Sequence, residues 1–437
     1  MAAPKRLTLF DCIAIGVNGI VGSGIFLLPN WVASGAQGFG PLAFLACGAL
    51  CALVALCYAE VGGMFERSGG TYLYAREALG DGIGFGVGWM VLVSAVLGYA
   101  SVARGLGDEV ARTLGAPSWA AAPIAASLIV GLGLANWRGV KTGARTSDVL
   151  TVAKVSALVL FVLAGLFFVR ADAFARLGVP TLSGFAEGTF SALFALSGFE
   201  FVAVVAGQTE NPRRNIPLAV VGSLLGAVVL YALIQSVVSG VLPDVRTSKA
   251  ALVEASGMMG GKGAAMAMGA VAIVSMVGFC SGSALVGPQL AAALARDGLL
   301  PSGLARVHPT REAPERAIVL ITASAVAGVL LLDFKALADL TIVTLFCQYV
   351  PTCLAVIVFR RWQPDARRVF RVPFGSAIPL AALAMMGFLV TRIGARALAT
   401  SAAILLAGGV VLLVQRAARA RGAPRCEGTP GGRADAR

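Results

Sequence analysis

The chain has 437 residues, 58% of them hydrophobic and 13% charged, with a mean hydropathy of +0.84. That is about half the charge of ordinary soluble domains, and it excludes a water-soluble globular fold, which cannot leave so much apolar surface exposed. The net charge of +13 invites a nucleic-acid partner, but its distribution along the chain points to a different cause.

About twelve apolar segments follow one another, near residues 9–33, 40–64, 84–111, 118–136, 147–170, 185–208, 216–242, 264–293, 317–332, 337–360, 374–390 and 396–416. Most approach the roughly 20 residues that cross a hydrocarbon core. The expected fold is an all-α polytopic membrane protein, with residues 1–416 forming one transmembrane domain. The opening "MAAPKRLTLFDCIAIG" is basic but has no small-residue cleavage site, so the first segment is expected to be retained as a helix.

Two segments carry their own interruption. In the first, "GIVGSGIFLLPN" (19–30) places Gly22, Ser23 and Gly24 inside an apolar run. Each glycine costs about 1 kcal/mol relative to alanine in a helix. In the sixth, "TFSALFALSGFEFVAVVAG" (189–207) breaks at Ser197-Gly198, with Glu200 directly after. Between them, the fifth segment contains Lys154, about nine residues beyond Arg145, or roughly 13 Å into a helix that rises 1.5 Å per residue. An outward loop, 243–263, is long enough for a short helix. After Arg416 the chain is rich in Gly, Arg and Pro, so 417–437 is expected to be a disordered tail.

With an even number of spans and the N-terminus inside, 24 of the 35 Lys and Arg fall on the inner side. Ten lie in or beside outward loops, and Lys154 lies within a span. Such a bias sets topology and places both termini in the cytoplasm. The basic charge is thus a membrane-orientation signal, and no nucleic-acid partner is expected. Seven of the eight cysteines lie in apolar runs, there is no C-x-x-C, and His308 is the only histidine. Neither a metal site nor a cofactor is expected, and no nucleophile–base pair or phosphate loop suggests an enzyme.

The two breaks lie five helices apart, which inverts the second set relative to the first. Paired interrupted helices in corresponding halves point to a secondary transporter built from inverted repeats. A break exposes N–H groups at the start of one half-helix, at its positive end, and frees carbonyls on the half before it. Together these suit a zwitterion, with donors for a carboxylate and acceptors for an ammonium. The same glycines would also serve close helix packing.

The stretches "GVNGIVGSGIFLLPN" (16–30), "YAEVGGMFERSGGTYLYAREALG" (58–80), "SGFEFVAVVAGQTENPRRNIPLAV" (197–220) and "LARDGLLP" (294–301) resemble the amino acid–polyamine–organocation (APC) permeases. The resemblance implies a five-plus-five inverted repeat, with repeats near 8–170 and 185–360 and two further helices near 374–416. It implies a central site between helices 1 and 6. There the N–H groups of Ser23 and Gly24 hold a carboxylate and the carbonyls of Ile20, Phe194 and Ser197 receive an ammonium; Gly22 and Gly198 complete the expected substrate-binding set. Phe194 matches the aromatic gate of helix 6. Lys154 matches members that place a lysine against helices 1 and 8, where sodium-coupled relatives hold sodium. The chain departs from the family at Glu66, Thr71 and Gln208, all toward the inner ends.

Ionisable groups within a bilayer are costly and suggest function. Lys154 and Glu200 are the candidates for proton coupling or for a fixed counter-charge; snorkelling of Lys154 and a bond from Glu200 to the broken backbone are the structural alternatives. Glu60 is expected to be structural, Arg104, Asp108 and Glu109 to pair or meet water, and Glu210, Arg213 and Arg214 to lie in a cytoplasmic loop, where an ion-pair gate with Arg67 or Arg76 is one option. Ser94, Ser281, Ser283 and Thr344 are the expected polar lining. The resulting expectation is a plasma-membrane permease for amino acids, with small or medium neutral ones preferred and protons as the coupling partner. Obligate exchange, or a transport-dead sensor, is the alternative.

Overall fold

Within lipid no water is available to satisfy peptide groups, so a spanning chain must satisfy them inside its own helices. The computed structural model describes residues 6–65, 69–138, 144–308, 313–366, 368–391 and 394–422, with backbone alone for 144–150 and 416–422. Among them the only β-type pairing is an isolated parallel bridge between Leu7 and Thr209. All other regular structure is helical.

The first apolar segment gives α1 (Leu9–Ile20), α2 (Gly24–Leu27) and α3 (Pro29–Ala36) in place of one rod. Thr8 caps α1 by accepting from the Asp11 N–H, while the Thr8 N–H donates to the Asp11 carboxylate at 2.8 Å. Then come α4 (Gly40–Gly62), α5 (Gly70–Leu79), α6 (Asp81–Thr113), α7 (Ala121–Trp137), α8 (Ala144–Gly165) and α9 (Ala171–Leu177). The sixth segment divides into α10 (Leu182–Leu196) and α11 (Phe201–Val204). The chain continues through α12 (Pro212–Val241), α13 (Ala251–Arg296), α14 (Glu315–Leu331), α15 (Phe334–Trp362), α16 (Ala377–Val390) and α17 (Ala395–Gly422).

Each of the twelve expected segments is helical, but they are unequal. Among the described residues, nine stretches are long and apolar enough to cross a membrane. The other three are shorter: the apolar part of α8 is Thr151–Gly165, α14 has 17 residues and α16 has 14. The fold is therefore an all-helical polytopic membrane protein. The 243–263 loop does hold helix, because α13 begins at Ala251 and bends where Gly260 and Gly261 leave helical geometry. The last helix runs to Gly422, past the expected start of the tail, and 423–437 lie outside the described residues.

Packing centres on the interrupted helices. α1 lies against α11 and α12, and α10 lies against α3 and α4. α6 is flanked by α13 and α15, and α4 packs along α12. At the C-terminal end of α4, Glu60 is buried and receives Arg360 Nε at 2.8 Å and the Val372 N–H at 2.7 Å. Arg368 approaches to 3.5 Å and donates to the carbonyls of Phe359 and Gln363 at the end of α15. Glu60 thus ties α4 to α15 and its following loop, the structural role expected of it.

Candidate functional site

α1 stops at Ile20 because Val21 turns out of helical geometry at ψ of 72°, and the carbonyls of Ile20, Val21 and Gly22 find partners from other helices. Ile20 O accepts from Tyr231 Oη at 3.1 Å. Val21 O accepts from Lys154 Nζ at 2.5 Å and Ser275 Oγ at 3.2 Å, and Gly22 O accepts from the same hydroxyl at 3.2 Å. The donors of this break are treated differently. Among the described residues, the N–H groups of Ser23 and Gly24 donate to no protein acceptor. The Ser23 hydroxyl, 1% exposed, also lacks a partner. Buried polar groups are nearly always paired, so three convergent donors at a half-helix start form a ready anion cradle.

The second break is held in part by its own residues, although among the described residues the N–H groups of Ser197 and Phe199 also donate to no protein acceptor. Ser197 is extended and Gly198 has φ of +117°, a conformation glycine adopts at no steric cost. The Gly198 N–H donates to Glu200 Oε2 at 2.9 Å, and Ser197 Oγ donates to Phe194 O at 2.8 Å. The two breaks touch backbone to backbone: a Cβ on Gly198 would sit 2.4 Å from the Gly19 carbonyl. A Cβ on Gly24 would lie 2.6 Å from the Ala195 Cα. Gly24 is therefore required by the crossing of α2 with α10, and that contact comes from protein packing, whatever a ligand adds.

Between the breaks and the faces of α6, α13 and α15 lies a cavity of about 280 Å³. Ile20, Gly22, Ser23, Gly24, Phe194, Ser197, Gly198 and Glu200 all line it. Lys154 does not. It sits behind the first break, 3% exposed, with Nζ bound to Asn18 Oδ1 at 2.6 Å as well as to Val21 O. Its ammonium is thus held inside the protein, against the end of α1. Glu200 is 6% exposed and also accepts from Tyr349 Oη at 3.2 Å. The Tyr349 ring stacks on Phe199 at 5.7 Å and meets Tyr58 edge-on at 6.1 Å.

Ser94 and Ser283 line the cavity as expected; Ser281 and Thr344 do not. Thr341, one turn earlier on α15, takes the position, and Thr344 turns inward to donate to Thr341 O at 2.6 Å. The Phe194 ring meets Phe334 edge-on at 5.9 Å, and Phe334 meets Trp31 at 6.3 Å. Lys335 lies over that indole at 4.8 Å and pairs with Asp339 at 2.8 Å. An aromatic plug therefore stands beside the expected gate residue.

Sequence reasoning missed Asn18, Tyr231, Ser275 and Tyr349. Asn18, Tyr231 and Ser275 are isolated polar residues in apolar runs and Tyr349 follows Gln348 in one, the one signal that could have found them. Away from the cavity, Arg104 donates to Val329 O and lies 3.6 Å from Asp108, while Arg112 pairs with Glu109. Arg76 pairs with Asp81 at 2.7 Å, a local partner in place of Glu210. Thr71 receives or gives a hydrogen bond to Tyr58 Oη at 2.6 Å, and Gln208 O accepts the Leu7 N–H at 2.8 Å. Glu66 and Arg67 lie outside the described residues. Among the described residues, no three His, Cys, Asp or Glu side chains come together as a metal set.

The pattern that defines the family described as "Amino acid permease" matches residues 7–414, nearly the whole chain and both breaks. The chain belongs to that family, within the APC superfamily. This permease is 29% identical to the methylthioribose transporter of Bacillus subtilis (strain 168), over 86% of each chain. It is 28% identical to the branched-chain amino acid permease BcaP of the same organism, covering 89% of this chain and 88% of that one. Identity is also 28% to the vacuolar cationic amino acid transporter 4 of Arabidopsis thaliana, across 85% of this chain. The permease spans only 65% of that plant protein's length.

Proposed function

We propose that this chain is a secondary active transporter that moves neutral amino acids across the cytoplasmic membrane by alternating access, driven by protons. The observation that carries the reading is the set of three unpartnered donors at Ser23 and Gly24 on the wall of the cavity. They suit a substrate carboxylate, and Ile20, Phe194 and Ser197, whose carbonyls would receive the ammonium, also line the cavity. Phe194 O accepts one hydrogen bond, from Ser197 Oγ, and a carbonyl has a second lone pair; Ile20 O already accepts from both Tyr231 Oη and the Gly22 N–H, so the ammonium would rest chiefly on the carbonyls of Phe194 and Ser197. The names of BcaP and of the A. thaliana transporter support amino acids as the substrate class, whereas the B. subtilis methylthioribose transporter is named for a different solute. The lining supports neutral ones, since Glu200 is its only ionisable member and is bound by Gly198 and Tyr349.

Lys154 is the coupling residue in this reading. Its two acceptors are both neutral oxygens, and a buried ammonium without a carboxylate is the expensive case. Loss of its proton removes a charge-assisted bond to Val21 O, which belongs to the same break as the free donors. Proton binding and substrate binding then share one element, as coupling requires. The twelve-span, five-plus-five arrangement with both termini cytoplasmic follows from the parity of the breaks and the charge bias. In that frame the Phe194–Phe334–Trp31 plug is the outer gate.

The test is uptake of labelled alanine and leucine into proteoliposomes. We expect accumulation driven by an inward proton gradient and abolished by a protonophore. Uptake seen only after preloading with unlabelled amino acid would instead establish an exchanger, with Lys154 as a fixed charge. No uptake in either format would overturn the transport reading.

A further inference from the structure

Glycine is the poorest helix former after proline, so a glycine inside a long membrane helix needs a reason. On α6 the reason is usually contact: a Cβ on Gly105 would lie 2.2 Å from Leu27 Cδ1, and one on Gly107 would lie 2.2 Å from the Ala121 carbonyl oxygen. Gly98, on the same helix, is different. Its Cβ would meet only Thr341 Cγ2, at 4.0 Å. On α13, Gly282 is different in the same way, with nothing within 4 Å of an added Cβ. Both line the cavity. Neither is needed for helices to approach, and what each preserves is open volume inside the cavity.

That volume lies on one side of the proposed site. The backbone of a bound amino acid engages the two breaks, and the remaining walls are the α6, α13 and α15 faces. Those faces carry Val102, Phe279, Val286 and Leu345 around the two glycines, with no ionisable side chain. We infer that Gly98 and Gly282 set the capacity of the side-chain compartment, so that the site selects amino acids with large uncharged side chains, branched or aromatic, over glycine and alanine. The inference rests on the reading of the cavity as an amino-acid site and departs from the expectation from sequence of small or medium substrates. A methyl group placed at either position occupies the space that a large side chain needs and leaves the breaks untouched. A small substrate does not reach that space.

The experiment is competition against labelled alanine uptake in proteoliposomes by glycine, leucine, phenylalanine and lysine, for the wild type, Gly98→Ala and Gly282→Ala. In the wild type, leucine and phenylalanine should compete more strongly than glycine or lysine. In each variant the ratio of leucine to alanine affinity should fall at least about tenfold, the scale of a methylene mismatch in an apolar pocket. An unchanged ratio, or equal loss for every substrate, overturns the inference. So does a wild type that prefers glycine to leucine or accepts lysine as well as leucine. The wild-type order decides alone if a variant does not fold. A wild type that takes up no amino acid contradicts the transport reading itself, and the inference falls with it.

Discussion

The two interrupted helices were expected as counterparts, yet their breaks are held in opposite ways. At Ser197-Gly198 the backbone is held from within, by Glu200 on the Gly198 N–H and by Ser197 on the Phe194 carbonyl. At Val21–Ser23 it is held from outside, by Lys154 of α8, Tyr231 of α12 and Ser275 of α13. A break held by its own residues keeps its shape when neighbouring helices move. One held by three other helices changes when any of them moves or when a partner changes charge. The first break is thus suited to respond and the second to serve as a fixed platform; backbone N–H groups without a protein acceptor occur at both, and the unpartnered hydroxyl, Ser23, is on the responsive one.

The largest expected effect comes from forcing a side chain into the fixed platform. Gly198→Val meets the Gly19 backbone and a φ of +117° together. The conformational penalty alone is about 1–3 kcal/mol, and backbone cannot move aside as a side chain can. We expect loss of monodisperse protein on size-exclusion chromatography; a normally folded variant would contradict the backbone contact. Gly24→Val, against Ala195, should likewise eliminate amino-acid binding, measured calorimetrically.

Next comes the responsive break. Lys154→Gln keeps hydrogen-bonding capacity but removes the charge, so gradient-driven accumulation should vanish while binding is retained within about tenfold, or about 1.4 kcal/mol. A smaller effect is expected for Tyr349→Phe, which deletes one neutral donor to a buried carboxylate. Such bonds contribute about 1.5–3 kcal/mol, which should appear as a lowered melting temperature. Smallest is Ser275→Ala: one hydroxyl shared by two carbonyls, worth about 1 kcal/mol in thermal stability and with little effect on affinity. If Ser275→Ala lowered stability more than Tyr349→Phe, the contrast between the breaks would need revision.

Much of this was legible in the sequence because it depends on local properties. Apolar runs located the long helical stretches, and Gly22-Ser23-Gly24 and Ser197-Gly198 marked both breaks, since glycine and serine there oppose helix continuation. The depth of Lys154 followed from its distance to Arg145. What could not be read depends on which helices meet. Asn18 and Lys154 are 136 residues apart, and no periodicity joins them. The contact of Gly24 with Ala195 is invisible until α2 and α10 cross. The choice of Thr341 over Thr344 turns on the rotation of α15, because residues three apart share a face only approximately. Arg76 found Asp81, five residues away, before any distant carboxylate.

The most direct test of the central claim compares wild type and Lys154→Gln in the same proteoliposomes, measuring gradient-driven accumulation and tracer exchange in parallel. The account predicts that the variant loses accumulation but still exchanges internal for external amino acid, because the Ser23–Gly24 donors remain in place. Full accumulation by the variant would show that the Lys154 ammonium does not govern the first break and would contradict the account.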